Sequence, residues 1–281
     1  MSNNIKLSSI DLERIVISKK NRYKLNIVEK TEIKKKLSNQ IILIIDGQIS
    51  SKLLEVINTW YDLNKHSILI VIEKNSSNIG LTKSLNKAIK LCSCDYIARM
   101  DSDDISIPER FELQINFLEN NKDIDVLGGS IQEINTENKE LGIRTFPKSN
   151  KSVLKQIPIS SPLNHPSVMF RRKVFDEGNF YNEKYITSQD IDFWFTLLSK
   201  KYKISNIDRI VILFRLNNNM AKRRSYKKGF NEFRIYFNGI ILLYGLNYRL
   251  IYPFLRLFTR LLPSPIIKLI YYGNYRKILN N

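Results

Sequence analysis

The sequence predicts an α/β protein with a doubly wound, mostly parallel sheet in its first half, a mixed second half and a basic amphipathic helical tail. Three observations predict it. Ile41-Ile42-Leu43-Ile44-Ile45 is an unbroken aliphatic run that ends in Asp46-Gly47, the pattern of a central parallel strand buried on both faces. Tyr96 to Met100 is a second short apolar run, and it ends in Asp101-Ser102-Asp103-Asp104. From residue 221 onward, twelve Lys or Arg stand against Glu232 alone and carry +11 of the +18 net charge.

The elements follow from periodicity. Leu12 to Ser18, which holds Ile15-Val16-Ile17, reads as a strand, and Tyr23 to Leu37 as an amphipathic helix among lysines. After the run ending at Asp46 come a helix over Ser51 to Leu63, a strand over Ser67 to Ile72, a polar loop from Asn75 to Gly80 and a helix opening at Leu81. This strand-helix alternation is the signature of a nucleotide-binding half. A helix from Pro108 to about Asn120 follows, Pro being suited to a first helical turn. The alternation then lapses. Ile124 to Gly129 and Ser130 to Asn135 read as two strands, Ser152 to Ile157 as a short helix, and Ser167 to Arg171 as a strand. Gln189 to Lys200 carries too many apolar residues for a surface helix and is expected at the centre of the second half. The domain reading is one catalytic unit over 1–229, with halves 1–120 and 121–229, and a tail over 230–281.

Length and charge narrow the class. A chain of 281 residues with 43% hydrophobic residues can bury a full core. A +18 charge calls for an anionic partner. Nucleic acid is disfavoured because the charge sits in an aliphatic-rich tail and no zinc-finger or RNA-binding signature is present. Cys92 and Cys94, two apart, make neither a disulfide framework nor a zinc site, which fits a reducing compartment. Met1 to Asp11 lacks a signal-like apolar core, and no uncharged apolar run is long enough to span a bilayer. The expected place is the cytoplasm, peripheral on the inner face of the cell membrane, with the aromatic and basic tail on an anionic surface. The competing reading of the tail is a pair of helices that cover the catalytic domain.

The acidic loop after Met100 carries the chemistry. Three carboxylates in four residues repel one another unless a cation or hydrogen-bond donors compensate. An oxygen-only cluster suits a hard ion, Mn²⁺ or Mg²⁺. The alternative is an acidic turn that caps the following helix, and Asp104 is the member for which capping is retained.

Several motifs then occur in a fixed order. Asn78-Ile79-Gly80-Leu81, Ser84-Leu85-Asn86-Lys87-Ala88, and Tyr96 to Asp104 with Pro108-Glu109-Arg110-Phe111 and Gln114 come first. Gly128 to Glu133, Asn164-His165-Pro166-Ser167 to Arg171, Gln189-Asp190-Ile191-Asp192-Phe193-Trp194 and Met220 to Arg224 follow. The set, spread over about residues 41 to 228, resembles family 2 glycosyltransferases of the GT-A fold, in the bacterial subgroup that builds capsule, exopolysaccharide and O-antigen. The resemblance implies that Asp46 holds the donor nucleoside, that Asp101 and Asp103 hold ribose and metal, and that Asp190 is the catalytic base. It also implies a nucleotide diphosphate sugar donor, UDP-linked, and a lipid-linked saccharide acceptor. Two features depart from the pattern: Gln189 stands where the family has Glu, and Ile15 to Gln40 is short and lysine-rich where the base-contacting loop belongs.

The remaining residues keep two readings each. Asp46 is a ligand group or a turn residue, and Asp190 a base or an acid favoured by the helix dipole. Asn78 contacts ligand or shapes its loop. Lys83 and Arg99 approach the nucleotide, or are a solvated charge and a strand-end charge. Arg223 and Arg224 bind diphosphate oxygens bidentately, or belong to the general basic tail. His165 is expected to be a hydrogen-bonded structural residue, His66 a surface one, Asp192 structural, and Trp194 core. The rival functions are a sugar-phosphate nucleotidyltransferase, disfavoured by the missing glycine-rich N-terminal loop, and a degenerate family member that binds nucleotide sugar or a membrane surface without turnover.

Overall fold

The computed structural model describes residues 15–19, 39–216 and 226–261. Among them is a nine-stranded mixed sheet: β1 (Ile15–Lys19), β2 (Asn39–Asp46), β3 (Leu69–Asn75), β4 (Tyr96–Met100), β5 (Ile105–Ser106), β6 (Val126–Ile134), β7 (Glu140–Arg144), β8 (Met169–Arg171) and β9 (Ile204–Arg215). The spatial order is β3-β2-β1-β4-β8-β6-β9-β5, with β7 paired to β6. The helices are α1 (Ser51–Asn64), α2 (Leu81–Leu91), α3 (Arg110–Asn120), α4 (Asn150–Gln156), α5 (Lys173–Asp176), α6 (Gln189–Ser199), α7 (Tyr226–Tyr244) and α8 (Ile251–Leu261).

The aliphatic run forms β2 as expected, and its alternation explains its burial. Ile42 and Ile44 point into the cluster that also holds Leu85, Ala88 and Trp194, while Leu43 and Ile45 pack against Leu53 and Ile57 of α1. Side chains along a strand alternate faces, so five apolar residues in a row require cover on both. The α6 prediction also holds, with Phe193, Trp194, Phe195, Leu197 and Leu198 all buried. Burying each such side chain stabilises the fold by about 1.5–3 kcal/mol.

The structure differs from the sequence reading in five places. First, β1 is antiparallel to both β2 and β4, so an antiparallel strand interrupts the expected parallel set of β2, β3 and β4. Lys19 lies opposite Asn39; the end of β1 and the start of β2 meet at one sheet edge, and no crossover helix is required to join them. The helix expected over Tyr23 to Leu37 lies outside the described residues. Second, Ile124 to Asn135 is not two strands: β6 is continuous through Gly128 and Gly129. The glycines admit close neighbours, since a Cβ on Gly128 would lie 2.1 Å from the Asn206 side-chain oxygen. Third, β7, α5 and β9 were not foreseen, although Ile210-Val211-Ile212-Leu213-Phe214 of β9 is a legible apolar run. Fourth, α3 begins at Arg110, with Pro108 in the turn ahead of it, because β5 intervenes and pairs with β9.

Fifth, α7 crosses the predicted boundary at 229/230. Ile235, Tyr236 and Ile240 belong to the main core cluster, and Gly239 packs against the Phe195 ring of α6. This half of the tail covers the catalytic domain. A Cβ at Gly239 would lie 2.3 Å from the Phe195 ring. Gly239→Ala is therefore expected to lower stability by about 2 kcal/mol despite its gain in helix propensity. Urea unfolding measures this, and an unchanged midpoint would mean that α7 is not seated on α6 as described.

Candidate active site

Strand direction brings the acids to one edge of the sheet. Ile15 of β1 faces Leu43 of β2 on one side and Met100 of β4 on the other. Because β2 and β4 run the same way, Asp46 and the Asp101–Asp104 loop leave the sheet at the same carboxyl edge, where open α/β sheets present their ligand groups.

Asp46 organises the loop before α2. Its Oδ1 accepts from Asn75 Nδ2 and Ile79 N, both at 2.9 Å, and its Oδ2 from Gly80 N at 3.0 Å. Asn78 lends Oδ1 to the same Gly80 N–H at 3.1 Å, so its side chain shapes this loop. Gly47, at φ 100°, lets the loop approach, since a Cβ there would sit 2.9 Å from Asn78 N. Lys83 is exposed in the first turn of α2, beside this loop.

The three acids after β4 lie together, with one ligand oxygen from each of Asp101, Asp103 and Asp104 within 4.8 Å of the others. Their loop is tied to the end of β9. Arg215 donates its backbone N–H to Asp104 Oδ1 at 2.9 Å, its Nε to the Asp103 carbonyl at 2.8 Å and its Nη1 to the Asn135 carbonyl at 2.9 Å. Asp104 does not cap α3. The N-cap position is Glu109, and the Asp104 carboxylate turns inward to β9, because β5 separates it from the helix. Asp104 is buried, and its Oδ2 has no donor among the described residues. Burial pushes its carboxyl up to about 8; the Asp101 and Asp103 charges add to this, and the Arg215 N–H opposes it. A buried acceptor without a donor beside two further carboxylates is a donor set that fits a hard divalent cation.

Arg99 is the centre of the site. It is buried in β4, pairs with Asp101 through one terminal nitrogen, and leaves Nε and the other terminal nitrogen without partners among the described residues. It is neither exposed nor a bare strand-end charge. Its charge also acts on Asp190, His165 and Tyr181, which brings these three residues within its electrostatic reach. Asp190 lies in the first turn of α6, after Ser188 in the left-handed region at φ 59°. Burial raises its carboxyl above the usual range, against hydrogen bonding from the backbone of Ile191 and the Arg99 charge. Asp192, one residue beyond Ile191, is pushed up to about 6 by burial and is hydrogen-bonded to Asn182.

The remaining motif residues brace this centre. Arg110 is fully buried and donates to the carbonyls of Arg99 at 3.0 Å and Val168 at 3.3 Å and, through Nε, to Gln114 Oε1 at 2.9 Å. Gln114 in turn donates to the carbonyls of Ser167 at 2.8 Å and Leu127 at 3.1 Å. His165 shares a 2.8 Å hydrogen bond with Tyr181 Oη and meets Trp194 edge-on. Burial holds the His165 ring well below its ordinary pKa, so the structural expectation stands. Trp194 is core, His66 is exposed, and Gln189 is buried beside Asp190. Arg223 and Arg224 lie outside the described residues. Sequence reasoning missed the anchoring role of Arg215, which follows from the unforeseen β9, and the bracing by Arg110 and Gln114, whose positions were visible only as motif letters.

The chain is similar to known proteins in sequence and in fold. A family model, "Glycosyl transferase family 2", matches residues 16–178. The amylovoran biosynthesis glycosyltransferase AmsE of Erwinia amylovora is 29% identical over 244 residues, 83% of this chain and 86% of that one. The UDP-Gal:alpha-D-GlcNAc-diphosphoundecaprenol beta-1,3-galactosyltransferase of Escherichia coli is 29% identical over 247 residues, 86% of each. Among solved structures, S. aureus TarS 1-349 in complex with UDP superposes with a TM-score of 0.54 at 13% identity, over 84% of this chain and 64% of that one. The mannosyltransferase PcManGT of Pyrobaculum calidifontis, in complex with GDP-Man and Mn²⁺, gives 0.51 at 9% identity over 84% of this chain and 72% of that one. With the family model covering more than half of its length and the fold shared with these transferases, the chain belongs to glycosyl transferase family 2 and is a glycosyltransferase of the GT-A fold.

Proposed function

We propose that the protein is an inverting, metal-dependent transferase that moves a hexose or N-acetylhexosamine from a UDP-linked sugar to a lipid-linked saccharide in surface polysaccharide synthesis. The observation that carries this reading is Arg99, which pairs with Asp101 of the acid cluster and acts electrostatically on Asp190. The cluster is paired with this buried cation, and the candidate base lies within its electrostatic reach.

Asp101, Asp103 and Asp104 would hold Mn²⁺ or Mg²⁺. Such an ion, when bound, neutralises charge on the departing diphosphate. The two unpartnered nitrogens of Arg99 suit phosphate oxygens, with Lys83, which follows the Asn78–Gly80 loop, and Arg223 and Arg224 as further candidates. Asp46 and the Asn78–Gly80 loop form the wall for the nucleoside. Asp190 takes the proton of the acceptor hydroxyl, and its raised proton affinity makes it a stronger base in its ionised form. One base is sufficient for a single displacement, which inverts the anomeric centre. The UDP donor and the diphospholipid acceptor are supported by the name of the 29%-identical galactosyltransferase.

A cytoplasmic place on the inner face of the cell membrane is supported by α8, where Ile251, Phe254, Leu255 and Phe258 are each more than half exposed on a helix rich in arginine. No helix among the described residues is long and apolar enough to cross a membrane. The second reading, a family member that binds donor without turning it over, is favoured by Gln189, buried where the family has Glu, and by the short, lysine-rich Ile15 to Gln40 stretch.

Asp190→Asn is expected to lower turnover by about 10²–10⁴-fold while UDP binding is kept. Donor hydrolysis screened over UDP-, GDP- and dTDP-sugars measures it; wild-type turnover in the variant would remove Asp190 as base, and no hydrolysis by the wild type would favour the binding-only reading. Asp103→Ala should weaken Mn²⁺-dependent UDP binding by about tenfold or more, ~1.4 kcal/mol. Equal calorimetric affinity would take Asp103 out of the site. Replacing Ile251, Leu255 and Phe258 together by Ser keeps the Phe254 ring against Phe233 and Phe237 of α7 and should abolish co-sedimentation with anionic vesicles. Unchanged sedimentation would count against α8 as the membrane face.

A further inference from the structure

Asp190 is reached through a segment with little structure of its own. From Gly178 to Ser188 the chain forms neither helix nor strand, yet a base must be held to within a fraction of an ångström of its proton. What holds this segment is one face of α2. The Asn86 carboxamide treats Tyr181 as a neighbouring strand would: Oδ1 accepts from Tyr181 N at 3.0 Å, and Nδ2 donates to Tyr181 O at 2.9 Å. Nδ2 also meets Glu183 Oε1 at 3.0 Å. One turn earlier, the Thr82 hydroxyl donates to Tyr185 O at 2.7 Å.

Residues four apart share a helix face, so both clamps point the same way. Both side chains are buried, where an unsatisfied polar group costs free energy, and the side-chain hydrogen bonds of Asn86 go to Tyr181 and Glu183 of this one segment. The Tyr181 hydroxyl is fixed in turn by His165 Nε2 at 2.8 Å, and its ring packs 4.4 Å from that of Phe193 in α6. At its other end, α2 starts from Gly80, whose N–H is bound by Asp46. A single eleven-residue helix therefore connects the Asp46 loop to the segment that leads into Asp190.

We propose that Asn86, supported by Thr82, is a positioning residue that sets Asp190 at a fixed distance from the donor site by clamping residues 181–185. The proposal rests on the reading of Asp190 as base. In hydrogen exchange, Asn86→Ala should raise the rate at amides 181–191 at least tenfold while β2 and β4 stay within about twofold. UDP with Mn²⁺ should bind within about threefold of wild type by calorimetry. The kcat for hydrolysis of UDP-N-acetylglucosamine or UDP-galactose, whichever the wild type turns over, should fall at least tenfold with the donor KM unchanged. Thr82→Val, nearly isosteric, should lower kcat severalfold, and Thr82→Ser, which keeps the hydroxyl, should restore it. Unchanged exchange at 181–191 overturns the proposal, as does loss of UDP affinity in step with kcat. If Asp190→Asn turns over normally, the base assignment fails instead, and the exchange measurement still decides whether Asn86 holds the segment.

Discussion

The site depends on keeping two guanidinium groups buried at the end of one strand. Arg99 and Arg110 are each at most 5% exposed, and an isolated buried cation is costly enough that neighbouring structure must compensate it. Arg110 is compensated by carbonyls and a carboxamide, at the cost of a proton affinity brought down by burial to about 9. Arg99 is compensated by Asp101 and, at longer range, by the Asp190 charge. The acids are therefore matched to the arginines as much as to any ligand. The β4 carboxyl end, the turn at His165–Ser167 and the first turn of α6 must stay together for the cations to remain inside.

Much of this was legible in the chain itself. The strands at Ile41 to Asp46 and Tyr96 to Met100 announce themselves because a doubly covered strand has no polar face to confuse with a helix. α6 was legible through the density of its apolar residues. The carboxylate cluster was legible because three adjacent acids are an electrostatic anomaly in any local conformation. What was not legible is direction and distance. Nothing in Ile15-Val16-Ile17 distinguishes a parallel from an antiparallel neighbour, since a strand's own pattern records which faces are covered and not which way its partner runs. Asp104 looked like a helix cap because Pro108 and Glu109 look like a helix start; only the pairing of Ile105 and Ser106 with β9 turns the carboxylate inward. Asn86 and Gln114 were visible as motif positions, but a carboxamide's role is set by the backbone it meets, here Tyr181 and Ser167, some 95 and 53 residues away.

The loop bonded to Asp46 shows how a site can be preformed. Both carboxylate oxygens are engaged by the Asn75 side chain and by the backbone N–H groups of Ile79 and Gly80, so the loop's shape is set without a ligand. Oδ1 accepts two of these bonds and Oδ2 one. The loop-shaping half of the two readings of Asp46 is thus visible in the fold, and its place beside the nucleoside belongs to the proposed function.

The ion pair between α7 and α8 extends the electrostatics of the site outward. Burial is the main cause of the raised proton affinity of Asp190 and the Glu232 charge on α7 adds least to it; Arg256 on α8 lies 2.7 Å from Glu232. Arg256 also donates to the Ile159 carbonyl at 2.7 Å and stands over the Tyr236 ring. One arginine thus pairs with a buried acid of α7 while belonging to the helix that exposes Ile251, Phe254, Leu255 and Phe258. The helix that carries the exposed Phe254, Leu255 and Phe258 is thus fastened to α7 and to the Ile159 carbonyl by its own arginine, so the charge that anchors it and the apolar side chains it exposes belong to one element.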